Sequence, residues 1–412
     1  MTPVIEIIVV GNEILSGRTQ DLNAAYMIDR MGLHGFTVRY ESVIGDTVSD
    51  ISEAFRIASG RSNVVLVTGG LGPTSDDVTV QALADAFDRE LVLDENVLSH
   101  IESLFKRRKW FMSESNKKQA FVPAGAVPLT NSMGTAPGVL LKYDECSIFL
   151  MPGVPLEMQK MFDRVIFPRI QEEFEPEHVE TASIKVSGLG ESAIYDRIGH
   201  LPGAKKYFSY YPGTDGIEIK IRTDADAPMA APQLSAEIID ILGDTVYSSK
   251  GESLETVVGN MLIAYGKTIG VAESCTGGYI SHLLTNVPGS SAYLLAGVVV
   301  YSNESKHTVL GVDNSHIGQY GAVSAKVAGA MADGIRRITG ASIGLSTTGI
   351  AGPGGGSVEK PVGLMYTGLS TVTETMTKKL QFVEDRLINK KRMSQAVLNI
   401  LRLHLKKRFE LS

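Results

Sequence analysis

The sequence has few of the features that define several large protein classes. Its 412 residues include only two cysteines, Cys146 and Cys275, which exclude a disulfide framework and a cysteine-based zinc site. The longest apolar run, residues 292–301, is far shorter than the roughly 18 residues that a membrane span requires. The first residues carry no basic flank and place Glu6 inside an apolar stretch, unlike a secretory signal. We therefore predict a cytoplasmic protein that does not contact membranes.

An excess of positive charge is also missing. The formal net charge is −7, so the chain as a whole offers no electrostatic attraction to nucleic acid or to an anionic membrane. Apolar residues make up 43% and charged residues 21% of the chain, which is typical of a globular protein. A chain of this length has room for two or three domains.

The amino-terminal part shows a regular alternation of strand and helix patterns. Apolar, β-branched runs predict strands at 4–10, 36–44 and 63–67, and helical spacing predicts helices at 23–35, 48–60 and about 78–87. This order predicts an α/β fold with a parallel sheet covered on both faces, which binds ligands at the carboxyl ends of its strands.

The remainder divides into two further segments. An acidic stretch at 174–180 contains Pro176 and is typical of a linker. Short strands and one helix predict a small α+β module, and an α/β pattern resumes after it. We predict three domains, at residues 1–172, 178–250 and 253–412.

Residues 68–77, TGGLGPTSDD, form a glycine-rich loop after the third predicted strand. Its unobstructed backbone N–H groups and the helix that follows suit a phosphate. Asp76 and Asp77 add hard oxygen ligands, which hold a divalent cation against a diphosphate in many sites. Alternatively, the loop is a tight turn in which one aspartate caps the next helix. It is neither a Walker A motif nor a GxGxxG fingerprint.

Four motifs in this part of the chain resemble a known family. Four motifs carry the resemblance: GNEILSG (11–17) with the D.N that follows it (21–23), TGGLGPTSDDVT (68–79), N..GTAPG (131–138) and MPGVPLEM (151–158). They resemble the molybdopterin-binding (MoCF biosynthesis) domain of the competence/damage-inducible protein A (CinA) family. The resemblance covers roughly residues 4–170 and implies a three-layer α/β/α domain. It also implies metal-dependent hydrolysis of ADP-ribose to AMP and ribose 5-phosphate, with Mg²⁺, Mn²⁺ or Co²⁺ and, as a further candidate, a monovalent cation.

On this resemblance, Asp76 and Asp77 would hold the metal while the loop cradles the diphosphate. A helix-capping or solvated role stays open for Glu13. The expected substrate-binding residues of the four motifs are Asn12, Glu13, Ser16, Gly69, Gly70, Gly72, Thr74, Gly134, Pro152, Gly153 and Glu157.

The middle segment lies where CinA proteins carry a KH-like module. A KH domain that binds nucleic acid needs a GXXG loop with basic flanks. The nearest stretch here, GLGE at 188–191, breaks this pattern and adds a negative charge. We therefore expect a structural spacer and no nucleic-acid partner.

The chemistry of the last segment centres on the turn AESCTGG (272–278), which follows a predicted strand. A nucleophile, an anion site or an ordinary helix cap would each use such a turn. A serine attacks only when a base takes its proton, and a partly buried lysine can be that base. Lys306 follows the predicted strand 293–301, which makes serine–lysine catalysis chemically reasonable.

This segment resembles the C-terminal domain of CinA proteins over about 255–405. The resemblance rests on AESCTGG, PGSSAY (288–293), GVVVYSNESK (297–306) and TTGIAGPGGGS (347–357). That domain is similar to the nicotinamide mononucleotide (NMN) deamidases, which are serine–lysine amidohydrolases. The residues at the family's functional positions are all present: Ser274, Ser291, Tyr301, Lys306, Thr348 and Arg386. The usual GDR triplet reads EDR at 384–386.

The resemblance implies cofactor-free hydrolysis of NMN to nicotinic acid mononucleotide and ammonia. Lys306 would activate a serine, Tyr301 and Thr348 would orient the lysine or the amide, and Arg386 would bind the phosphate. A phosphate at the turn 274–278 would leave Ser291 as nucleophile, which we prefer slightly, whereas the strand–turn–helix analogy favours Ser274. Further substrate contacts are expected from Thr276, Gly277, Gly278 and Gly352.

Together the two resemblances predict a bifunctional enzyme of pyridine nucleotide salvage, because NMN and ADP-ribose are both breakdown products of NAD. One alternative is an amino-terminal domain that handles a molybdopterin nucleotide. Another is a non-enzymatic scaffold in competence or DNA damage. The resemblance also suggests a homodimer.

Overall fold

The computed structural model describes residues 2–383 and 385–409, with the backbone alone at Phe409. Glu384, the first residue of the EDR triplet, lies outside this description. Contacts divide the chain into two compact units, residues 1–179 and 180–412. None of the helices described is both long and apolar enough to cross a membrane.

The amino-terminal unit is built on a six-stranded sheet. The strands of the whole unit are β1 (Ile5–Val10), β2 (Val38–Ile44), β3 (Val64–Thr68), β4 (Leu91–Leu93), β5 (Phe121–Pro123), β6 (Val127–Leu129), β7 (Gly138–Tyr143) and β8 (Cys146–Met151). Its helices are α1 (Asn12–Leu15), α2 (Asn23–Leu33), α3 (Val48–Ser59), α4 (Thr79–Ala86), α5 (Glu95–Arg108), α6 (Pro155–Met161) and α7 (Phe167–Glu173). The order of the large sheet is β2-β1-β3-β8-β7-β6, while β4 and β5 form a separate pair.

The predicted three-layer architecture is confirmed by how β1 is buried. Ile5 and Ile7 pack towards α2, α6 and α7, whereas Ile8 and Val10 pack towards α3 and α4. The strands β2, β1, β3 and β8 are parallel as expected, but β7 and β6 run antiparallel and make the sheet mixed. The early helices and strands begin and end within two residues of their predicted limits.

The second unit starts with a small antiparallel sheet, here called the middle module. Its strands are β9 (Glu180–Val186), β10 (Phe208–Pro212), β11 (Ile217–Thr223) and β12 (Val246–Ser248), in the order β10-β11-β9-β12. Its helices are α8 (Glu191–Ile198), α9 (Ala204–Tyr207) and α10 (Ala231–Leu242). Leu234 and Ile238 of α10 share a core with Ile184 and Ile219, so the module has a hydrophobic core of its own.

The rest of the second unit is a five-stranded sheet between helices, here called the C-terminal sheet. Its strands are β13 (Ile269–Glu273), β14 (Leu294–Val299), β15 (Ile343–Gly349), β16 (Leu364–Ser370) and β17 (Thr375–Gln381). Its helices are α11 (Leu254–Ala264), α12 (Tyr279–Thr285), α13 (Asn303–Leu310), α14 (Asn314–Tyr320), α15 (Ala325–Thr339) and α16 (Arg386–Phe409). The sheet order is β14-β13-β15-β16-β17, and its first three strands are parallel. The sequence analysis did not predict β16, β17, α13 or α14.

The last helix, α16, contacts the end of the middle module through the buried Arg402 and through Lys406, which forms an ion pair with Asp244 at 2.9 Å. Arg402 donates to the backbone oxygens of Val246 at 3.1 Å and Asp244 at 2.5 Å. Met393, Val397 and other apolar residues of α16 lie in the same core as β13 and β15. The helix therefore contacts both the C-terminal sheet and the middle module.

Candidate functional sites

In each unit a cavity opens at the carboxyl ends of parallel strands. The cavity of the C-terminal sheet has a volume of about 250 Å³. Ser274 follows β13, Tyr301 and Lys306 follow β14, and Thr348 lies in β15; all four line it. Because β14 and β15 lie on opposite sides of β13, the cavity occupies the place where α/β sheets bind ligands.

The central contact of this cavity joins a lysine and a serine. Lys306 Nζ lies 3.2 Å from Ser274 Oγ. It also donates to the backbone oxygens of Val300 at 2.9 Å and Tyr301 at 3.1 Å. Lys306 is 1% exposed, and burial lowers its pKa from the ordinary value. The amine is thus placed to accept the proton of the Ser274 hydroxyl.

The structure does not bring Ser291 to this pair. Ser291 lies in a 3-10 turn, Ser290–Ala292, that precedes β14. Lys306 follows the opposite end of that strand, and a six-residue strand spans roughly 20 Å. The slight preference for Ser291 as nucleophile therefore does not fit the geometry within one chain, in which Ser274 is the serine that contacts Lys306.

The turn at 274–278 does not offer a free anion site. The carboxylate of Glu273 is fully buried and accepts from the backbone N–H groups of Ile280 at 3.1 Å and Ser281 at 2.8 Å. It also accepts from the Ser281 hydroxyl at 2.7 Å. These N–H groups belong to the first turn of α12, so the chain's own carboxylate occupies the position expected for a phosphate.

The predicted substrate contacts of that turn are consequently not seen at the cavity. Thr276 is buried, and its hydroxyl lies 2.7 Å from that of Thr347. Gly277 and Gly278 do not line the cavity; with φ of +62° and +90° they instead make the bend that leads into α12. Cys275 does line it, but burial raises the pKa of its thiol to about 12, which disfavours the thiolate.

The lining of the cavity also includes an arginine. Arg386 donates to the backbone oxygen of Gly352 at 2.7 Å and to the Tyr301 hydroxyl at 3.1 Å. Thr348 is buried and donates to the Ala322 oxygen at 2.8 Å. The lining residues that the structure describes include Lys306 and Arg386 but no carboxylate. This charge balance suits an anionic ligand.

The cavity of the amino-terminal unit is larger, about 490 Å³, and lies where β1, β3 and β8 end. Three glycine-containing loops meet there. Gly69 has a φ of +106°, and a Cβ atom on it would lie 2.1 Å from the Val10 oxygen. Gly153 also packs against Gly69, less tightly, since a Cβ on it would lie 3.3 Å from the Gly69 Cα. Glycine at position 69 is therefore required by both the backbone conformation and the packing.

Asp76 and Asp77 both line this cavity, and both are held by one threonine. The Thr74 hydroxyl lies 2.5 Å from a carboxylate oxygen of each, and Thr74 N donates to Asp77 at 2.8 Å. The hydrogen bond from Thr74 lowers the pKa of Asp76. Lys118 Nζ donates to the backbone oxygens of Thr74 at 2.9 Å and Asp77 at 2.7 Å, which fixes the loop from outside.

Three further polar residues of this cavity were missed by the sequence analysis. Asp21 Oδ2, Asn23 Oδ1 and Gln119 Oε1 are buried oxygen atoms without a hydrogen-bond partner, and all three residues line the cavity. A buried acceptor without a partner is costly unless a ligand satisfies it. The aspartate and asparagine belong to the first family motif, so that motif was an available signal, whereas nothing in the sequence singles out Gln119.

The other predicted residues of this site divide into two groups. Those that line the cavity are Glu13, Gly69, Gly70, Gly72, Pro152, Gly153 and Glu157. Those that do not are Asn12, Ser16, Thr74 and Gly134. Gly134 acts indirectly: a Cβ on it would overlap the Glu157 carboxylate, which accepts from Asn131 Nδ2 at 2.8 Å.

A divalent cation fits the chemistry of this cavity. Asp21, Asp76 and Asp77 all line it, and Asp21 Oδ2 has no partner within the chain. No preformed cluster of three or more His, Cys, Asp or Glu side chains is found among residues 2–383 and 385–409. The donor residues are thus present. Thr74 engages Asp76 and Asp77, and Asp21 Oδ1 accepts from the backbone N–H groups of Asn23 and Ala24.

The GLGE stretch of the middle module faces the C-terminal sheet. Gly188, Leu189 and Glu191 line a cavity of about 600 Å³ together with Phe382 and residues of α16. The loop at the position that a KH domain uses for nucleic acid therefore shares this cavity with side chains of α16 and of the segment that precedes it.

Comparison with known families matches three segments of the chain. Residues 6–172 match the family described as a probable molybdopterin binding domain. Residues 181–248 match the damage-inducible protein CinA KH domain, and residues 251–405 match the CinA C-terminal domain. The resemblance found in the sequence is thereby confirmed for all three segments.

Individual relatives cover nearly the whole chain. A CinA-like protein of Desulfosudis oleivorans is 40% identical over 409 residues, which are 96% of this chain and 98% of the relative. A CinA-like protein of Cytophaga hutchinsonii is 38% identical over 411 residues, 97% of this chain and 98% of its own. A crystal structure of a CinA protein from Thermoplasma acidophilum is 35% identical, covers 41% of this chain and 96% of its own, and has a TM-score of 0.37.

The buried carboxylate of Glu273 gives a stability prediction. Glu273→Ala leaves the Ile280 and Ser281 N–H groups without acceptors, so we expect a loss of about 1–3 kcal/mol in the free energy of unfolding. Urea unfolding followed by circular dichroism would measure it. Ser281→Ala, which removes only a hydroxyl donor, should cost less. Equal stability of Glu273→Ala and the wild type would show that the carboxylate does not anchor α12.

Proposed function

Since this chain belongs to the CinA family of competence/damage-inducible proteins, we propose that its C-terminal sheet carries an amidohydrolase that converts NMN to nicotinic acid mononucleotide and ammonia. The observation that carries this proposal is the buried contact of 3.2 Å between Lys306 Nζ and Ser274 Oγ. A serine beside a lysine of lowered pKa is the minimum needed for nucleophilic attack on an amide.

The reaction divides into two transfers. Neutral Lys306 takes the proton of Ser274, whose oxygen forms a bond to the amide carbon. The carbon–nitrogen bond then breaks, and the lysine ammonium returns its proton so that the nitrogen leaves as ammonia. In the second transfer Lys306 takes a proton from water, the new hydroxide attacks the acyl carbon, and the bond to Ser274 oxygen breaks. The proton returns to Ser274, and the acid product leaves.

The remaining residues of the cavity account for substrate recognition. Arg386 supplies a permanent positive charge at the cavity wall, which suits the phosphate of NMN. Its bonds to Gly352 and Tyr301 hold the guanidinium at that wall, and buried Thr348 helps to form the floor. A volume of about 250 Å³ is at the small end for ligand sites, which favours a mononucleotide over a dinucleotide.

The amino-terminal unit supports a second proposal, the metal-dependent hydrolysis of ADP-ribose to AMP and ribose 5-phosphate. Glycine loops at the ends of β1, β3 and β8 leave space for a diphosphate. Asp21, Asn23 and Gln119, each with a buried oxygen that has no hydrogen-bond partner, belong to the lining of the same cavity. Asp21, Asp76 and Asp77 would hold a divalent cation, Mg²⁺, Mn²⁺ or Co²⁺. When bound, it would neutralise charge on the diphosphate. Lys118 would keep the aspartate loop in place.

The two alternative functions are separated by direct assays. A molybdopterin nucleotide would use the same glycine loops, so molybdopterin with ATP should be compared with ADP-ribose as substrates. A scaffold in competence or DNA damage would need neither cavity. The serine–lysine contact and the anionic preference of the smaller cavity favour an enzyme.

Substitution of the reacting pair tests the first proposal. Ser274→Ala and Lys306→Ala should each lower ammonia release from NMN by about 10³-fold or more, because nucleophile and base act as one unit. Ser305→Ala provides a matched control, since this serine lies beside Lys306 in α13 and does not line the cavity. Retention of activity in Ser274→Ala would exclude this serine as the nucleophile.

The acid limb of the pH profile tests the role of the lysine. Only the neutral amine accepts a proton, so kcat should fall as the pH drops below the pKa of Lys306. Burial lowers that pKa, which places the limb below the ordinary lysine value of about 10.4. A kcat that does not fall as the pH is lowered would show that the neutral amine of Lys306 is not the base.

Metal dependence tests the second proposal. Asp77→Ala and Asp21→Asn should each lower divalent-metal-dependent AMP release from ADP-ribose by about 10²-fold, because each removes a carboxylate from the proposed metal site. Ser75→Ala, an exposed change in the same loop, should leave it intact. Unchanged hydrolysis in Asp77→Ala would remove this aspartate from the site.

A further inference from the structure

The second unit has another cavity, between the middle module and α16, here called the module cavity. Its volume of about 600 Å³ is typical of sites for small molecules. Two glycine-containing loops, 187–191 and 212–216, line it together with parts of β17 and α16. None of the described residues that line it also lines the Ser274–Lys306 cavity. The proposed reactions therefore give this cavity no role.

The amino end of α8 belongs to the lining and carries no side-chain cap. Gly190 precedes this eight-residue helix and supplies no acceptor to its first turn. The φ of Gly190 is an ordinary −82°, and a Cβ atom on it would meet nothing within 4 Å beyond its chain neighbours. Neither the backbone conformation nor the packing of the described chain therefore requires glycine here. Uncapped N–H groups beside unfilled space suit an anion.

A buried side chain on a different helix also points to a ligand. Gln395 of α16 lines the module cavity and is only 9% exposed. Its Oε1 is buried and accepts no hydrogen bond within the described chain. Such an acceptor is costly unless a ligand donates to it. This observation indicates a ligand that carries an N–H or O–H group, and it does not depend on α8.

Most of the remaining lining is apolar, with positive charge on two elements. Leu189, Leu380 and Phe382 provide apolar surface on which a planar ring can pack. Lys378 of β17 and Arg392 of α16 add the positive charge. A cavity that combines an apolar wall with a few polar and cationic groups is typical of a site for an aromatic anion.

Two carboxylates are also part of the described lining. Asp215 is engaged within the chain, since it accepts from the Tyr247 hydroxyl at 3.0 Å and lies 3.8 Å from Lys185 Nζ. Glu191, in the first turn of α8, is exposed. An acidic side chain beside a phosphate site binds the sugar hydroxyls in many dinucleotide-binding proteins. Glu191 is suited to the same task here.

We propose that the module cavity binds a nucleoside monophosphate. The phosphate would lie at the amino end of α8 with Lys378, and the sugar hydroxyls near Glu191. The base would pack against Phe382 and donate an N–H group to Gln395 Oε1. A single nucleotide is favoured over a nucleic-acid chain because α16 lines the same cavity as the loop 187–191, and because the net charge of −7 repels a polyanion. The site rests on neither of the proposed reactions.

Hydrogen–deuterium exchange of the full chain locates the binding without an assay of activity. With AMP at ten times its dissociation constant, amides 189–193 should exchange about tenfold more slowly, because only the free protein exposes them. Adenosine or inorganic phosphate alone should protect them less, since each fills one part of the site. Protection by AMP at other segments only, or none at all, would overturn the proposal.

A methyl group at the proposed phosphate position tests the role of α8. Gly190→Ala should raise the AMP concentration for half-protection of α16 residues 392–403 by about tenfold or more. Gly318→Ala is the matched control, since a Cβ on this exposed glycine of α14 also meets nothing and lies outside the module cavity. An unchanged AMP requirement in Gly190→Ala would overturn the phosphate position.

Adjacent lysines test the charge. Lys378→Ala should raise the AMP concentration for half-protection about threefold, which is typical of one exposed ion pair. Lys379→Ala should leave it unchanged, because Lys379 does not line the module cavity although it neighbours Lys378 in β17. Equal effects of the two substitutions would show only a general attraction to positive charge and would overturn the specific contact.

Gln395→Leu separates a ligand contact from a structural one. It removes an unpartnered acceptor, so the urea midpoint of the unliganded protein should rise, while the AMP concentration for half-protection should increase about tenfold. A lower midpoint with unchanged AMP protection would make Gln395 a structural residue and overturn its role. A single-stranded oligonucleotide that protects 189–193 at lower concentration than AMP would identify a nucleic-acid surface and overturn the proposal of a single nucleotide.

Discussion

The chemistry of the C-terminal sheet depends on keeping one amine out of water. An exposed lysine is protonated at neutral pH and cannot act as a base, whereas burial favours its neutral form. Lys306 is buried because α13 begins immediately after β14, which turns its side chain back under the strand end. Carbonyl oxygens of Val300 and Tyr301 fix the direction of Nζ, so the amine faces Ser274. One local arrangement thus positions the end of β14, the start of α13 and the amine that contacts Ser274.

The two units use the same topological solution for different chemistry. In each, neighbouring parallel strands end at one edge and their loops diverge, which leaves a cavity without interrupting the core. The smaller cavity is lined by lysine and arginine, the larger by carboxylate and amide oxygens. The basic lining of the smaller cavity suits a bound anion directly. The lining of the larger cavity suits a diphosphate only together with a cation, which agrees with the metal-dependent reaction proposed for it.

Much of this arrangement could be predicted from local sequence patterns. The strands of the first 85 residues and the strand–turn–helix around Ser274 follow from apolar runs and glycines, which act over a few residues. The predictions that failed concern which side chains lie close together in the folded chain. The motif around Ser291 does not reveal that β14 carries it away from Lys306, and the turn at 274–278 does not reveal that Glu273 occupies the helix start. The β16–β17 hairpin was missed, although Lys378 and Lys379 fit an exposed edge strand.

The long final helix has a mechanical consequence. A helix of 24 residues extends about 36 Å, and α16 begins at Arg386 beside the cavity. Farther along, Arg402 is bonded to the end of the middle module. A stiff rod fixed at both places transmits a displacement of one end to the other. Loss or exchange of the middle module would expose the buried Arg402 guanidinium to water, and a resulting shift of α16 would displace Arg386 at the cavity.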